Sequence, residues 1–153
     1  MTTEIREFFE ERLPTEWFVG PPSIESDEEE ILCVGPLPQG ASADGFREAT
    51  RDERIAIARE AESRFGRVVS WGVEHEGGTT LFTTHSSPVM TRLKLRERAV
   101  LETLIDGGIA RSRSEALAWC VKLVARHQGD WLAELREALG AVEQVRVGGP
   151  TLI

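Results

Sequence analysis

Apolar residues recur along the chain in two rhythms, one near every third or fourth position and one at alternate or consecutive positions. Ile5, Phe8, Phe9 and Leu13 share a helical spacing over residues 4–13, closed by Pro14. Pro21, Pro22 and the acidic run Asp27 to Glu30 carry no such rhythm, so residues 1–30 read as an N-terminal helix and an acidic linker. Ile31-Leu32-Cys33-Val34 is a short apolar run, strand-like, stopped by Gly35-Pro36, and Pro38 to Gly45 reads as loop. Phe46, Ala49, Ile55, Ala58, Ala61 and Phe65 line one face of a helix over residues 46–65, with Gly66 as its stop. Val68 to His75 and Thr79 to His85 are rich in β-branched and aromatic residues. Gly77-Gly78 between them predicts a hairpin that pairs Val73 with Phe82 and Trp71 with Thr84. Residues 31–87 therefore predict a βαββ module, and parallel first strands would need a right-handed crossover.

The C-terminal half carries a sharper pattern. Over Pro88 to Leu95 the positions alternate, with Leu93 and Leu95 on one face and Arg92 and Lys94 on the other. A helix bearing Val100, Leu101, Leu104 and Ile105 follows and breaks at Gly107-Gly108, with Ile109 anchoring the turn. Ser112-Arg113-Ser114-Glu115 has the form of a capping box, in which the Ser112 hydroxyl accepts from the Glu115 N–H and the Glu115 carboxylate reaches back. The helix it opens offers Ala116, Leu117, Cys120, Val121, Leu123 and Val124 as an apolar face. Gly129 interrupts it and Asp130 caps again. Leu132, Leu135, Leu139 and Val142 then define a last amphipathic helix, Trp131 to Val145, inside a C-terminal segment 129–153.

Charge sharpens this division. The chain has 153 residues and a formal net charge of −8. Residues 1–87 hold 8 basic and 18 acidic side chains, a net of −10, and residues 129–153 hold 2 and 4, a net of −2. Residues 88–128 hold 8 basic and 4 acidic ones, a net of +4, so one basic block sits in an acidic protein where a polyanion could dock.

A short basic strand, two helices with glycine between them and Ser-Arg-Ser at the second helix start resemble the ribbon-helix-helix DNA-binding family of the Arc and MetJ type. The resemblance covers Pro88 to His127, about a quarter of the chain. It implies that two chains pair their strands into an antiparallel ribbon that enters the major groove. Carried over by position, Met90, Arg92 and Lys94 would face the bases, while Thr91, Leu93 and Leu95 would face inward. Leu93, Leu95, Leu101, Leu104, Leu117, Cys120 and Val124 are the expected dimer core. Arg111, Ser112, Arg113 and Ser114 would meet phosphate at the second helix start. The chemistry agrees without the family name, because Arg92 and Lys94 suit guanine O6 and N7. The competing reading places the strand at the edge of the N-terminal sheet, with Arg92 and Lys94 guarding against aggregation.

Other chemistries fit less well. In the hairpin register above, His75 lies opposite Thr80 and His85 opposite Ser70, roughly 16 Å apart along the strands, so they cannot share a metal within one chain. Cys33 and Cys120 are too few for a disulfide framework or a zinc knuckle. His85-Ser86-Ser87 has no nucleophile elbow around it, and Gly35, Gly40 and Gly45 are not followed by the Gly-Lys-Ser/Thr of a phosphate loop. Trp71 and Trp119 read as packing residues. With 41% hydrophobic and 29% charged residues, the composition is globular and excludes a disordered or collagen-like chain. No apolar run is long enough to span a membrane, and the opening Thr2 to Glu7 lacks the pattern of a secretory signal.

The expectation is an α+β protein: a βαββ module at 31–87, a ribbon-helix-helix module at 88–128 and a trailing amphipathic helix. It is read as a cytoplasmic transcriptional regulator, not an enzyme, that binds double-stranded DNA as a homodimer or higher even oligomer. No cofactor and no metal are expected, and three roles stay open for the N-terminal module: sensing a ligand, binding an unidentified protein, or merely aligning dimers. The alternative is an interaction or dimerisation module, such as an antitoxin whose acidic N-terminal half binds a basic partner.

Overall fold

The β-branched segments of the N-terminal half meet in one four-stranded sheet, and the amphipathic helices of that half cover it. In the computed structural model, which describes residues 2–150, the chain forms two compact units, Met1–Val89 and Met90–Ile153. It is of the α+β class, with four strands and six helices among the described residues.

The first unit opens with α1 (Thr2–Arg12), followed by β1 (Ser23–Ser26) and β2 (Glu30–Pro36). Two helices, α2 (Ala43–Ala49) and α3 (Arg51–Phe65), lead to β3 (Val68–His75) and β4 (Gly78–Leu81). The strand order is β1-β2-β3-β4. The central pair, β2 and β3, is parallel with Cys33 beside Trp71, and each outer pair is antiparallel. Two helices between β2 and β3 give the chain the length that a parallel return requires. Ile31 and Cys33 of β2 and Val69, Trp71 and Val73 of β3 are buried with Ile5, Phe8 and Phe9 of α1 and Ile57 and Ala61 of α3. Aromatic rings join these elements edge to face: Phe9 lies 5.9 Å from Trp71 and Trp17 lies 5.5 Å from Phe46 between centroids.

Four expectations for this unit are corrected. The segment read as a linker contains β1, so the module is ββααββ, with α1 packed into its core. β1 is a short, largely exposed edge strand whose identity comes from its bonds to β2, and it carries only one apolar residue, Ile24, to signal it. The acidic run makes the turn between them: Asp27 Oδ1 accepts from the N–H groups of Glu29 and Glu30, at 2.9 and 2.8 Å, which hold its carboxyl below the usual range. The single helix expected over 46–65 begins earlier, at Ala43 within the segment read as loop, and breaks at Thr50, whose hydroxyl donates to the Phe46 carbonyl at 2.6 Å. The break resets the helical phase, so Arg54, Ile57 and Ala61 are buried while Ala49 and Ile55 are exposed. Gly66 ends α3 at φ +67, as its position predicts. The hairpin turns on Glu76-Gly77 instead of Gly77-Gly78, pairing Val73 with Thr80 and His75 with Gly78. That slip of two residues keeps every side chain on its expected face. β4 stops at Leu81, short of the His85 expected.

The second unit consists of α4 (Leu95–Asp106), α5 (Arg113–His127) and α6 (Gly129–Val147). Leu101, Ala110 and Ala116 form its core, with Leu93, Leu104, Ile105, Leu117 and Cys120 packed against them. Gly108 takes φ +75 in the α4–α5 turn, a conformation that glycine adopts without a Cβ clash. The strand expected over 88–95 is absent: residues 83–94 have no regular structure, and Leu95 already belongs to α4. A strand exists through bonds to a neighbour, and one chain supplies none here. Nor does the segment extend the N-terminal sheet, whose edges are β1 and β4. Gly129 does not open a loop, and Asp130 is not a cap. Gln128 ends α5 and starts α6, leaving Asp130 in the first turn of α6. No residue of α6 is buried, and Leu135, Leu139 and Val142 stand exposed.

Candidate nucleic-acid interface

The basic residues expected to meet DNA, Arg92, Lys94, Arg111 and Arg113, occupy two places in the second unit. The first is the extended segment ahead of α4. Met90 is 95% exposed, and Thr91, Arg92 and Lys94 are exposed with it. Leu93 points the other way and packs on the unit's core. Arg98, one turn into α4, donates from Nη1 to the Leu93 carbonyl at 2.5 Å and ties the segment to the helix start. Lys94 is the N-cap residue in extended conformation, at φ −79 and ψ 173. The alternation between Leu93 and its basic neighbours is therefore present without a strand. Of the residues expected to face inward beside Leu93, Thr91 is exposed in the single chain and Leu95, at the first position of α4, is 73% exposed.

The second place is the start of α5. Ser112 is its N-cap at φ −151 and ψ 163, and its Oγ accepts from the Glu115 N–H at 3.1 Å. Glu115 reaches back one residue further than a capping box requires, accepting the Arg111 N–H at 2.8 Å. The N–H groups of Arg113 and Ser114 have no protein acceptor among the described residues, so two free donors and the helix dipole point outward together. Arg111 and Arg113 flank them, each beside a carboxylate. Arg111 Nε lies 3.6 Å from Glu115 Oε2, and Arg113 Nε donates to Glu102 Oε1 at 2.7 Å. Both pairs are exposed and hence weak, roughly 0–1 kcal/mol each, so an incoming anion can displace them.

Of the expected dimer-core residues, Leu101 is buried within the single chain, and Leu104, Leu117 and Cys120 pack beside it. Val124 and Leu95 are exposed, together with Val100 and Val121. Leu101 is thus a residue of the unit's own core, because the α4–α5 turn brings Ala110 and Ala116 onto it. Sequence reasoning missed Glu102 and Arg98 as neighbours of the site. No periodicity links Glu102 to Arg113, although Arg98 belonged to the basic block.

Of the other groups weighed from the sequence, His75, His85 and Cys33 belong to the first unit. His75 bonds Thr80 Oγ1 through Nε2 at 2.7 Å and accepts the Gly77 N–H on Nδ1 at 3.2 Å, which occupies both ring nitrogens. His85 pairs with Ser87 at 2.9 Å on the surface. Among the described residues, no three His, Cys, Asp or Glu side chains come together as a metal site. Cys33 is buried in the sheet core, and that burial pushes its thiol up to about 12. No helix among the described residues is long and apolar enough to cross a membrane.

A two-unit α+β chain, with an aromatic-cored sheet unit ahead of a three-helix unit, is the class that this architecture defines. Residues 3–81 match the family model of the Rv1265-like protein, N-terminal domain, and residues 94–146 match that of the Mb1296 C-terminal domain. The chain belongs to the Rv1265-like family. Its relatives include Rv1265 of Mycobacterium tuberculosis and Mb1296 of Mycobacterium bovis, both named as uncharacterized proteins. Each is 52% identical over 158 residues, which cover 95% of this chain and 70% of the relative. No solved structure matches the chain. The interval between the two matches, 82–93, contains the boundary between the two units.

Proposed function

We propose that the chain is a sequence-specific DNA-binding transcriptional regulator, acting as a homodimer whose two 90–94 segments pair as a ribbon-helix-helix strand pair in the major groove. The observation that carries the reading is the start of α5, where Ser112 caps the helix, two N–H groups stay free, and Arg111 and Arg113 flank them. An anion-ready helix start one turn after α4 is where a phosphate contact belongs in such a module. The exposed, unpaired segment ahead of α4 supports it: Met90, Arg92 and Lys94 project while Leu93 turns to the core. The apolar residues Leu95, Val100, Val121 and Val124, exposed in one chain, suit a surface that a second copy covers.

The test is a gel-shift against the protein's own upstream region at two salt concentrations. Arg92→Ala and Lys94→Ala should each lose about 1–3 kcal/mol of discrimination per site, up to double in a two-fold dimer. Arg113→Ala should weaken binding to all sequences and make the salt dependence shallower by roughly one unit of slope per contact. Unchanged operator binding by the Arg92 and Lys94 variants would remove the segment as the reading element. One observation favours a second reading, a protein-interaction module such as an antitoxin. Residues 1–87 carry a net of −10, which repels DNA and suits a basic protein partner.

A further inference from the structure

Where α2 gives way to α3, three arginines converge on one cavity. The cavity measures about 790 Å³ and is lined by Arg47, Arg51 and Arg54 together with Ile55, Phe82 and Thr83. That volume is within the range of small-molecule sites, roughly 300–1,000 Å³. Arg54 is the unusual member, because it is only 6% exposed. Its Nε donates to Thr50 Oγ1 at 3.0 Å and its Nη2 to the Arg47 carbonyl at 2.7 Å, and its guanidinium lies 5.1 Å from the centre of the Phe82 ring. Arg47 approaches the same ring at 5.8 Å.

None of these contacts neutralises the charge. Among the described residues, no carboxylate forms an ion pair with Arg47, Arg51 or Arg54. Asp44 and Glu48 also line the cavity, so its lining carries three cations and two anions. The Nη1 of Arg54 has no protein acceptor, yet no described side-chain nitrogen is both fully buried and unbonded. Nη1 therefore keeps some exposed surface, on a side chain that lines the cavity. Burial first, then the like charges of Arg47 and Arg51, hold the Arg54 guanidinium below its ordinary range. Bracing the α2–α3 break accounts for Nε and Nη2 of Arg54. It accounts neither for the exposed Nη1 nor for two further arginines at the same cavity, and buried charges are ordinarily paired.

We propose that this cavity binds a small phosphate-bearing molecule, with its oxyanion against Arg54, Arg47 and Arg51 and its remainder against Phe82 and Ile55. A phosphate carries up to two charges and three acceptor oxygens, which match several guanidinium forks. A lone carboxylate brings one charge against the repulsion of Asp44 and Glu48. A nucleic-acid backbone is the poorer occupant, because Arg54 is recessed and the surrounding unit is strongly acidic. The proposal is independent of the DNA reading, since the cavity lies wholly within the first unit.

The test is isothermal titration of the full chain at constant ionic strength with inorganic pyrophosphate, a nucleoside monophosphate, citrate and a short DNA duplex. At least one of the two phosphate probes should bind saturably and more tightly than citrate. Arg51→Ala, at an exposed position, should weaken that binding about tenfold with the fold intact by circular dichroism. Arg54→Gln should weaken it at least as much, and Arg92→Ala should leave it unchanged. The proposal is overturned by the lack of saturable binding at millimolar phosphate probe, by citrate binding as tightly, or by an Arg51→Ala variant that binds like the parent. It is overturned equally if the duplex alone binds and Arg51→Ala weakens that binding, which would make the cluster a nucleic-acid contact.

Discussion

Replacing Phe9 with alanine tests how the first helix is held. Phe9 is fully buried, with its ring edge-on to Phe8 at 5.3 Å and to Trp71 at 5.9 Å, so it links α1 to the middle of the sheet. Both neighbours are held in turn, Phe8 by Phe65 at 5.5 Å and Trp71 by Trp17 at 6.1 Å, and neither can swing into the space left behind. Buried Phe→Ala changes cost about 3–5 kcal/mol, and poor collapse together with two lost ring contacts places this one near 4 kcal/mol. For a unit of this size, each kcal/mol moves the melting point by about 4–8 °C, giving a drop of roughly 15–30 °C. Urea unfolding followed by tryptophan fluorescence measures it in a Trp119→Phe, Trp131→Phe background. The remaining reporters, Trp17 and Trp71, are both buried in the first unit. A loss below about 1 kcal/mol with an unchanged urea slope would refute the reasoning and make α1 a peripheral appendage.

Four further outcomes are expected. Ser112→Ala should destabilise the second unit by about 1 kcal/mol in urea, because the Glu115 N–H loses its acceptor; a cost near zero would mean that water replaces the cap. In the native protein a thiol reagent at pH 8 should modify Cys120 and spare buried Cys33, with both reacting in urea. Because the Cys33 thiol is raised from 9.0 to about 12, the unfolded chain gives up that proton first, so stability is full below pH 9 and falls by about 1.4 kcal/mol per unit as pH rises from 9 towards 12. A Cys33→Ala variant that keeps the same alkaline slope would assign the loss to another group. Removing residues 129–153 strips the exposed Leu135, Leu139 and Val142 face and should lower the melting temperature or reduce the oligomer seen by light scattering. If neither changes, α6 holds no interface.

The elements that the sequence determined by itself are those decided by residues close together in the chain. Ser112 opens α5 because its hydroxyl needs only the amide three residues on, and Gly66 closes α3 because a left-handed residue is required there. The runs Ile31–Val34 and Val68–His75 are strands because their β-branched and aromatic residues suit a buried pleat. The clustering of Arg92, Lys94, Arg111 and Arg113 is equally a fact of sequence. The tertiary structure decided whatever depends on a surface distant in the chain. β1 is a strand because β2 offers it an edge, and α1 belongs to the core because Trp71 lies beneath Phe9. The phase of α3 followed from the break at Thr50, which left Arg54 buried against the Thr50 hydroxyl. The Arg113–Glu102 pair arose only when α4 and α5 packed, and residues 88–94 stayed out of any strand because a ladder needs two partners and the single chain holds one. Local chemistry sets a segment's preference within a few residues, whereas burial and pairing are properties of the surface it meets.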